Sequence, residues 1–265
     1  MPKHPYTAIE NHLSGTIGCR IHYFEEVEST QNIARNLAAE GAPHGTAVIA
    51  ETQSAGRGRM GRGWHSPPGV NLYTTIILRP TIAMAEVPRL SLVAGVATAE
   101  ALEEAARGIV ALKWPNDVWL NGRKAGGIIA EAVTDRAQRL DSVLLGIGLN
   151  LNLAPDDVPP EIRERAISVL IATGRRCDRV SVANSLFTRL NIRYDETVTR
   201  GFAAVRPHWE RYSALTGKRV TVVDAGTREE GLVTGIDADG ALLMETSNGV
   251  RRIIAGDVTL EGAYN

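Results

Sequence analysis

The segment ETQSAGRGRMGRGWHSPPG, at positions 51–69, constrains the fold of this chain more than any other part of the sequence. Gly56, Gly58 and Gly61 match the spacing G-x-G-x-x-G, which in dinucleotide-binding folds opens a helix and precedes an acidic residue about 20 positions later. Here the glycines run into a Pro-Pro pair, which excludes a helix, and positions 76–84 contain no acidic residue. The segment is therefore predicted to be a loop, and the dinucleotide-binding fold is excluded.

Three arginines, Arg57, Arg59 and Arg62, lie within six residues of this loop. Like charges this close repel one another, and glycines lose much backbone entropy on ordering, so such a loop gains most when an anion arrives. Guanidinium groups donate paired hydrogen bonds to phosphate, and glycine amides can approach it closely. The loop is thus either an anion site or a solvated basic turn, and Trp64 either covers a ligand or is an ordinary packed tryptophan. We expect residues 56–66 to be mobile without ligand and ordered with it.

The segment KWPNDVWLNGRKAGG, at positions 113–127, predicts a β-hairpin, because Asn-Gly between apolar runs favours a two-residue turn. With Asn121-Gly122 as the turn, position 119 pairs with 124 and position 117 with 126, so Asp117, Lys124 and Gly126 share one face. Glycine opposite Asp117 leaves a gap, as it often does where a ligand approaches a strand. A carboxylate and an ammonium over this gap fit an anion and a metal-bound nucleotide. The alternative is a surface ion pair worth under about 1 kcal/mol.

Four further polar residues are candidates for ligand contact. Two of them flank the hairpin and two lie at strand ends: Lys113, Asn116, Gln53 and Asn150. Each is otherwise an ordinary surface or core residue. The six histidines are scattered, and no Ser-His-Asp or Cys-His arrangement is suggested.

Strands and helices alternate through the first four-fifths of the chain. Apolar and β-branched runs predict strands at 19–27, 46–52, 70–78, 109–114 and 141–153. Ser29 or Thr30 is the expected N-cap of a helix that ends before Gly41. Further helices are predicted at 90–107 and, as an amphipathic pair, between 181 and 214.

The last fifty residues change character. From Lys218, short β-rich runs alternate with Gly- and Asp-containing turns, which is typical of a small antiparallel barrel. So small a barrel has little core of its own, and we expect it to pack against the main domain. With 265 residues in all, the predicted division is a large domain at 1–215 and a small one at 216–265.

Charge and composition exclude several classes of protein. The chain has 29 Lys and Arg against 30 Asp and Glu, which excludes a protein that binds nucleic acid mainly through non-specific electrostatic contacts. Two cysteines are too few for a disulfide framework, and neither has metal-ligand spacing around it. The sole Gly-Lys pair precedes Arg219 rather than Ser or Thr, which excludes a P-loop. No signal peptide and no run of about 18 apolar residues is evident, so we expect a cytoplasmic protein without membrane association.

Five motifs in this order carry a resemblance: STQN (29–32), ETQSAGRGRMGRGW (51–64), KWPNDVW (113–119), GRKAGGIIAE (122–131) and GIGLNLN (146–152). Together they resemble the biotin–protein ligases, also called biotin–[acetyl-CoA-carboxylase] ligases. The β-rich C-terminus is similar to that family's small SH3-like domain. The combination of GRGRxGRxW with KWPND and a following Lys-x-Gly makes the resemblance specific, and it extends roughly from Ser29 to the C-terminus.

The resemblance implies an α/β (α+β) fold: a mixed β-sheet flanked by helices, as in class II synthetase-like catalytic domains, plus a C-terminal SH3-like β-barrel. It also implies a two-step reaction. Biotin and MgATP give biotinyl-5′-adenylate and pyrophosphate, and the biotinyl group then passes to one lysine of a biotin carboxyl carrier protein, a subunit of acetyl-CoA carboxylase. Because biotin and ATP are both anions, fixed cations and Mg²⁺ must offset the charge that builds up in the transition state.

The resemblance also implies roles for individual residues. A ureido ring needs paired donors and acceptors, which would come from Ser29, Thr30, Gln31 and Gln53. The biotin carboxylate and α-phosphate would be clamped by Arg57, Gly58, Arg59, Lys124 and Gly126. The nucleotide would be lined by Arg59, Lys113, Asn116, Asn150 and, on one of two interpretations, Trp64. Asp117 would help to place Mg²⁺, and the expected catalytic residues are Lys124, Arg57 and Asp117.

Only 28 residues precede Ser29, too few for the N-terminal helix-turn-helix that some members of the family carry, so we expect a ligase without DNA binding. One alternative is a lipoate ligase or octanoyl transferase, whose families share a similar core; the Gly-Arg loop together with KWPND argues against it. Another is a nucleotide- or nucleic-acid-binding regulator, against which the balanced charge and the 5% aromatic content argue. Both a monomer and a homodimer are compatible with the sequence.

Overall fold

The computed structural model describes residues 4–13, 17–224 and 227–260, and its centre is a mixed seven-stranded sheet. In chain order the strands are β1 (Arg20–Val27), β2 (Thr46–Gln53), β3 (Leu72–Leu78), β4 (Val110–Lys113), β5 (Asp117–Leu120), β6 (Arg123–Thr134) and β7 (Leu140–Leu149). In space they follow the order β1-β2-β3-β7-β6-β5-β4. β1 and β2 are parallel, and the other neighbouring pairs are antiparallel. The predicted mixed sheet is thereby confirmed.

Helices cover both faces of this sheet. They are α1 (Thr7–His12), α2 (Thr30–Ala39), α3 (Val87–Leu102), α4 (Val169–Thr173), α5 (Arg179–Arg200) and α6 (Phe202–Tyr212). Single 3-10 turns occur at Arg59–Gly61, Met84–Glu86, Pro155–Asp157 and Pro160–Ile162. The Ala-, Val- and Leu-rich sequence of α3 leaves few polar positions, and the helix is accordingly buried along most of its length.

The two faces of the sheet have different partners, because successive strand residues point to opposite sides. Ile76 on β3 and Leu145 on β7 belong to the large apolar cluster that includes α3 and α5. Ile77 and Leu144 point the other way and pack against Ala34 of α2. Helix α2 covers only part of its face, and the candidate site lies on the remainder, beside the first turn of that helix.

Helix α2 is held at both ends. Of the two predicted candidates, Ser29 is its N-cap, and the Ser29 Oγ accepts the backbone N–H of Gln31 at 3.3 Å. At the other end the guanidinium of Arg79 donates to the carbonyl oxygens of Ala38 and Ala42 at 2.9 and 3.0 Å. A cation at a helix C-terminus is stabilising. The first turn of α2 is therefore presented to the site in a fixed position.

The C-terminal part of the chain forms a second, five-stranded antiparallel sheet. Its strands are β8 (Arg219–Asp224), β9 (Thr227–Ile236), β10 (Leu242–Thr246), β11 (Gly249–Ile253) and β12 (Asp257–Leu260), in the spatial order β11-β10-β9-β8-β12. This agrees with the expected C-terminal β-domain; closure of the sheet into a barrel stays a prediction.

The small domain packs on the large one, as its limited core predicted. Val222 and Met244 belong to the same apolar cluster as Leu92 of α3. The indole N–H of Trp114, within the KWPND motif, donates to the carbonyl oxygen of Gly240 at 3.0 Å. One continuous core therefore joins the two sheets.

Most predicted elements are confirmed to within a few residues. The strands expected at 19–27, 46–52 and 70–78 correspond to β1, β2 and β3. The helix expected at 90–107 is instead Val87–Leu102: it starts three residues earlier, where the first turn tolerates a proline, and it ends five residues earlier. Across residues 4–13, 17–224 and 227–260, no helix has both the length and the apolarity needed to cross a membrane.

Candidate active site

A cavity of about 850 Å³ opens on the face of the large sheet that carries α2. Five parts of the chain surround it: the first turn of α2, the loop between β2 and β3, the β5–β6 hairpin, the segment at 162–166, and strand β12 of the small domain. The volume lies within the range of sites that hold small molecules, about 300–1,000 Å³. Arg57 and Lys124, which the sequence analysis places in one site, both line it.

Glycines form the floor of this cavity. Gly146 and Gly148 alternate on β7, and Gly148 pairs with Gly127 on β6. A Cβ on Gly146 would lie 2.7 Å from the amide nitrogen of Gln31, and a Cβ on Gly148 would lie 2.7 Å from the indole of Trp64. Only glycine allows side chains to approach the strand backbone this closely. The alternating glycines of the GIG motif at 146–148 therefore create the hollow in the sheet.

A hydrogen-bonded group of small polar residues lines one end. The backbone N–H and the hydroxyl of Thr30 both donate to Gln53 Oε1, at 2.9 and 3.1 Å. Thr75 Oγ1 donates to Thr30 Oγ1 at 2.9 Å, and Gln53 Nε2 donates to Ser66 Oγ at 3.0 Å. These bonds join helix α2, strand β3 and the loop, so the predicted residues Ser29, Thr30, Gln31 and Gln53 come together.

The amide of Gln31 is the unusual member of this group. Gln31 is 4% exposed, and within the described chain both its Oε1 and its Nε2 are buried without a hydrogen-bond partner. The same holds for the indole N–H of Trp64. A buried polar atom left without a partner costs about 1–3 kcal/mol. A ligand carrying both donors and acceptors would remove this cost.

The Gly-Arg segment is folded as a small hairpin. The backbone N–H of Trp64 donates to the Gly56 carbonyl at 2.8 Å, and the N–H of Gly58 donates to the Arg62 carbonyl at 2.6 Å. Its tip has a left-handed backbone at Met60 and Gly61, with φ of 56° and 73°. The segment is thus a loop and not a helix, as predicted.

Two of the three arginines in this hairpin have partners. Arg59 Nη1 donates to Asn116 Oδ1 at 3.0 Å, and Arg62 forms an ion pair with Asp257. These contacts offset the mutual repulsion expected from the sequence. Arg57 is exposed and has no ion pair in the part of the chain that the structure describes. Its guanidinium is the one that the hairpin leaves available to a ligand.

The KWPND hairpin forms as predicted, but its register is shifted by one residue on the side of Trp119 that lies away from the turn. Trp119 pairs with Lys124 as expected, whereas Asp117 pairs with Gly127. The register shifts between positions 118 and 119, where Ala125 is an extra residue on β6. Such a β-bulge places two residues of one strand opposite one of the other. The predicted pairing of position 117 with 126 was therefore wrong.

The bulge changes which glycine faces the cavity. A Cβ on Gly126 would lie 2.6 Å from a methyl group of Leu149, which belongs to the core on the opposite face of the sheet. A Cβ on Gly127 would lie 3.2 Å from Trp64 and 3.6 Å from Lys124 Nζ, and Gly127 lines the cavity. Gly127, and not Gly126, is the glycine opposite Asp117 that leaves room for a ligand.

Lys124 is fixed by both its side chain and its backbone. Its Nζ lies 2.6 Å from Asp117 Oδ1 and 5.6 Å from the centre of the Trp64 ring. Its backbone N–H donates to the Arg165 carbonyl at 2.8 Å, and its carbonyl accepts the N–H of Ile167 at 2.9 Å. The segment at 165–167 thus runs beside the bulged strand and holds the lysine in place.

Lys113 lies further along the same row of the sheet, paired with Asp117. Burial lowers the pKa of its ammonium, and the Asp117 carboxylate acts in the opposite direction. The Lys113 Nζ lies 5.4 Å from the centre of the Trp119 ring, whose N–H is buried without a partner within the described residues. A buried cation with only partial compensation is suited to receive an anionic ligand.

Asn116 and Asn150 also line the cavity. The amide of Asn116 donates to the Ile128 carbonyl at 2.9 Å, which leaves its oxygen to Arg59. The amide of Asn150 donates to the Ile167 carbonyl at 3.2 Å. Both side chains therefore hold neighbouring backbone while they face the cavity.

The residues present fit a magnesium ion that arrives with a nucleotide. Across the described chain, no group of three or more His, Cys, Asp or Glu side chains could hold a metal by itself. Asp117, with 18% of its side chain exposed, faces the cavity and uses one oxygen for Lys124. Mg²⁺ is commonly bound by one or two carboxylates together with substrate phosphates and water. Asp117 can supply one such ligand.

Two parts of the cavity wall were missed by the sequence analysis. Strand β12, at Asp257–Leu260, and the segment at 162–166 contribute to the lining. Neither carries a recognisable pattern, and each reaches the site through contacts far apart in sequence. The floor glycines Gly146 and Gly148 were also missed, although their alternation in a buried strand was a visible signal.

Comparison with known proteins identifies the chain at the level of the family. The Biotin/lipoate A/B protein ligase family matches residues 23–150, and the Biotin protein ligase C terminal domain matches residues 215–260. The Bifunctional ligase/repressor BirA of Bacillus subtilis is 38% identical over 244 residues, which cover 92% of this chain and 75% of that protein. The Biotin–[acetyl-CoA-carboxylase] ligase of Paracoccus denitrificans is 36% identical over 229 residues, or 81% of this chain and 90% of that one.

Solved structures agree with these relatives. The biotin protein ligase from Aquifex aeolicus in complex with biotin and ATP superposes with a TM-score of 0.79 at 30% identity, covering 91% of this chain and 98% of that one. The biotin protein ligase from Leishmania major in complex with biotinyl-5-AMP has a TM-score of 0.59 at 28% identity, covering 89% and 99%. The chain therefore belongs to the biotin protein ligase family, whose members are carbon–nitrogen ligases.

Proposed function

We propose that this chain joins biotin and ATP to form biotinyl-5′-adenylate and pyrophosphate, and then transfers the biotinyl group to a lysine of a biotin carboxyl carrier protein. The observation that carries the proposal is one cavity in which the unpartnered amide of Gln31 and the ammonium of Lys124 lie over a common glycine floor. Seven Lys and Arg and three acidic residues line this cavity, although the whole chain has a net charge of −1. One end suits an uncharged polar ring and the other suits phosphates.

The dimensions of the site are also appropriate. The cavity extends from β3 across β7, β6 and β5 to β4. Neighbouring strands are about 4.8 Å apart, so these five strands span roughly 19 Å. That length accommodates an acid and a nucleotide placed end to end, with the reacting groups between them.

Ser29, Thr30, Gln31 and Gln53 are proposed to hold the biotin head group. The ureido ring offers two N–H donors and one carbonyl acceptor. The free oxygen and nitrogen of the Gln31 amide complement such a ring, and the Thr30–Gln53 hydrogen bonds keep the neighbouring groups in place. An apolar acid of similar length would leave the Gln31 amide unsatisfied, which favours biotin over lipoate at this end.

The biotin carboxylate and the α-phosphate are proposed to meet between Lys124 and the Gly-Arg hairpin. Arg57 supplies a guanidinium that is free of ion pairs within the described residues, and Gly58 and Arg59 lie beside it in the cavity wall. Attack of a carboxylate on a phosphate brings two anions together, and preorganised cations stabilise that transition state most effectively. Gly127 takes the place first given to Gly126 in this part of the proposal.

The nucleotide is proposed to occupy the end of the cavity near β4. Lys113 lies on β4, and Arg59, Asn116 and Asn150 line the same cavity; all four are proposed to contact the nucleotide. Mg²⁺ bound to the phosphates would lower their charge, and Asp117 would supply its protein ligand. The indole of Trp64 lies against Gly127 and Gly148, between the two ends, so we place it against the reacting centre rather than over the base.

The second step needs the carrier lysine to reach the adenylate. Its neutral amine attacks the acyl carbon of the mixed anhydride, the bond from that carbon to the phosphate oxygen breaks, and AMP leaves as the amine loses a proton. The anhydride is already activated, so positioning supplies most of the remaining acceleration. The name of the Paracoccus relative supports an acetyl-CoA carboxylase subunit as the acceptor.

The division of the chain at 215/216 is part of the same proposal. Helix α6 ends at Tyr212, strand β8 begins at Arg219, and the match to the C-terminal domain family begins at position 215. We assign the binding of biotin and ATP to the first part, with strand β12 of the second part closing the cavity.

Biotin-dependent exchange of labelled pyrophosphate into ATP tests the first step. We expect exchange with biotin and none with lipoate or octanoate. Exchange with lipoate alone would establish the lipoate-ligase alternative, and tight binding of single-stranded RNA without any exchange would establish a nucleic-acid-binding regulator. Transfer of labelled biotin to a purified carrier domain, with its acceptor lysine replaced by arginine as the control, tests the second step.

A further inference from the structure

The Gly-Arg hairpin of the large domain is bonded directly to the last described strand of the small domain. The guanidinium of Arg62 pairs with the carboxylate of Asp257, which begins strand β12. We propose that Asp257 is a positioning residue: through Arg62 it holds the hairpin closed over the nucleotide end of the cavity. This inference rests on the proposed function, because Asp257 would position a loop of that same site.

The internal bonding of the hairpin explains how one contact can hold all of it. The Arg62 carbonyl accepts the N–H of Gly58 at 2.6 Å, and the N–H of Arg62 donates to the Arg59 carbonyl at 3.2 Å. A bridge also joins positions 57 and 63. Fixing Arg62 therefore fixes Gly58 and Arg59, two of the residues proposed to clamp the reacting groups.

The hairpin has two anchors, one in each domain. Arg59 is bound to Asn116 of the large domain, at 3.0 Å, and Arg62 is bound to Asp257 of the small domain. The tip between these anchors has a left-handed backbone at Met60, whose side chain is 76% exposed. Left-handed backbone at a non-glycine residue is costly. A tip of this kind, with its side chain in solvent, depends on the anchors for its position.

Strand β12 is placed to act on the nucleotide end. Asp257, Val258, Thr259 and Leu260 all line the cavity. Asp257 and Arg62 act in opposite directions on the pKa of the partly buried Lys113 ammonium: the carboxylate raises it and the guanidinium lowers it. Arg62 and Asp257 both line the cavity and keep much of their side chains exposed, so the ion pair forms part of the outer cavity wall.

The docking of the small domain does not depend on this ion pair. Trp114 donates to the Gly240 carbonyl at 3.0 Å, and Arg89 of α3 pairs with Asp239 at 2.7 Å. Both contacts lie at the β9–β10 turn, and neither involves the hairpin. Loss of the Asp257 carboxylate should therefore release the hairpin while the two domains stay together.

The test compares Asp257→Asn with Asp239→Asn, which removes a charge from the other interdomain ion pair. We expect Asp257→Asn to lower amide-exchange protection at positions 58–63 and to raise the KM for ATP about two- to fivefold, the range for loss of an exposed ion pair. The KM for biotin should change less, because its head group lies at the other end. Asp239→Asn should alter neither measurement.

A double variant separates positioning from general stability. If Asp257 acts through Arg62, then Asp257→Asn adds no further effect in an Arg62→Gln background. Raising the salt concentration should bring the unmodified protein toward the behaviour of Asp257→Asn, since exposed ion pairs are screened. Equal hairpin protection in Asp257→Asn and Asp239→Asn, or full additivity with Arg62→Gln, would overturn the inference. Absence of biotin-dependent exchange in the unmodified protein would instead overturn the proposed function, while the amide-exchange comparison still reports on the ion pair.

Discussion

The ammonium of Lys124 lies 2.6 Å from the carboxylate of Asp117, across a hairpin whose bulge turns both side chains toward the cavity. Only 18% of the Asp117 side chain and 37% of the Lys124 side chain are exposed. The carboxylate therefore does more than form a surface ion pair: it holds the lysine above Gly127, the glycine that leaves space for a ligand. This arrangement makes Lys124 the group whose loss should affect the chemistry most.

Replacement of Lys124 by alanine should reduce biotin-dependent pyrophosphate exchange by about 100- to 1,000-fold, the usual cost of removing one preorganised group that stabilises transition-state charge. The fold should persist, because the backbone of Lys124 keeps its hydrogen bonds to Arg165 and Ile167. Circular dichroism checks the fold. Lys218→Ala, at an exposed lysine outside the cavity, is the matched control and should retain full exchange. Near-normal exchange in Lys124→Ala would show that the hairpin face is not the reacting centre.

Gln31→Met should weaken biotin binding by about 5- to 150-fold, which corresponds to about 1–3 kcal/mol for hydrogen bonds lost at a buried site. The free energy of unfolding without ligand should stay the same or increase. The reason is that the Gln31 amide is buried without partners within the described residues, so its removal relieves a cost in the free protein. Calorimetric titration with biotin and urea unfolding measure the two effects. A fall in both quantities would mean that the amide stabilises the fold rather than the ligand.

Gly148→Ala should displace the Trp64 indole, because the added methyl group would lie 2.7 Å from it. Since Trp64 covers the floor between the two ends, we expect exchange activity to fall at least about tenfold, as misplacement of about 1 Å can cost 100-fold in rate. Gly63→Ala is the matched control: a Cβ there meets nothing within 4 Å. A difference in tryptophan fluorescence between the two variants offers a second readout, since all four tryptophans of the chain are present in both. If the two alanine variants have the same activity, the indole is not held against the floor as described.

His44 should contribute to loss of stability on the acid side. Burial lowers the pKa of its imidazole, and its Nδ1 accepts the backbone N–H of Arg79 at 3.1 Å. Between that lowered pKa and the ordinary value of 6.5, the unfolded chain binds more protons than the folded chain, so stability falls as the pH decreases through this window.

His44→Asn tests this expectation, because asparagine can accept the same hydrogen bond without titrating. Urea unfolding at about pH 7.5 and about pH 5 should show a smaller loss of stability in the variant than in the unmodified protein. The carboxylates lose stability with acid in both proteins, so their contribution cancels when the change in unfolding free energy between the two pH values is compared. An equal loss of unfolding free energy in the two proteins would show that His44 is protonated as easily in the folded chain as in the unfolded one.

Much of the architecture was predictable from local patterns. The pair Ser29-Thr30 indicated the start of α2, because a serine or threonine side chain can accept a hydrogen bond from a free backbone N–H in the first turn of a helix. The strands were visible as apolar runs of the right length, and Asn121-Gly122 placed the hairpin turn, with φ of 48° and 78° at these two residues. The motifs also identified candidates that the fold brings together, since Arg57, Gln53 and Lys124 all line one cavity; their roles stay a prediction.

The register of the hairpin was not predictable from its turn. A turn sets the pairing only until the first irregularity, and the extra residue Ala125 shifts each later pair by one. Because side chains alternate between faces, that single shift moves Gly126 into the core and Gly127 to the cavity. No local pattern in GRKAGG distinguishes these two glycines.

The sequence by itself determined most of the elements, because helix caps, turns and hydrophobic periodicity depend on near neighbours along the chain, and its motifs supplied the candidate site residues. Only the tertiary structure decided which arginine is left for a ligand. Arg59 and Arg62 find their partners, Asn116 and Asp257, 57 and 195 positions away along the chain. Contacts over such distances depend on how the sheets and domains pack, and no pattern among near neighbours along the chain specifies that packing.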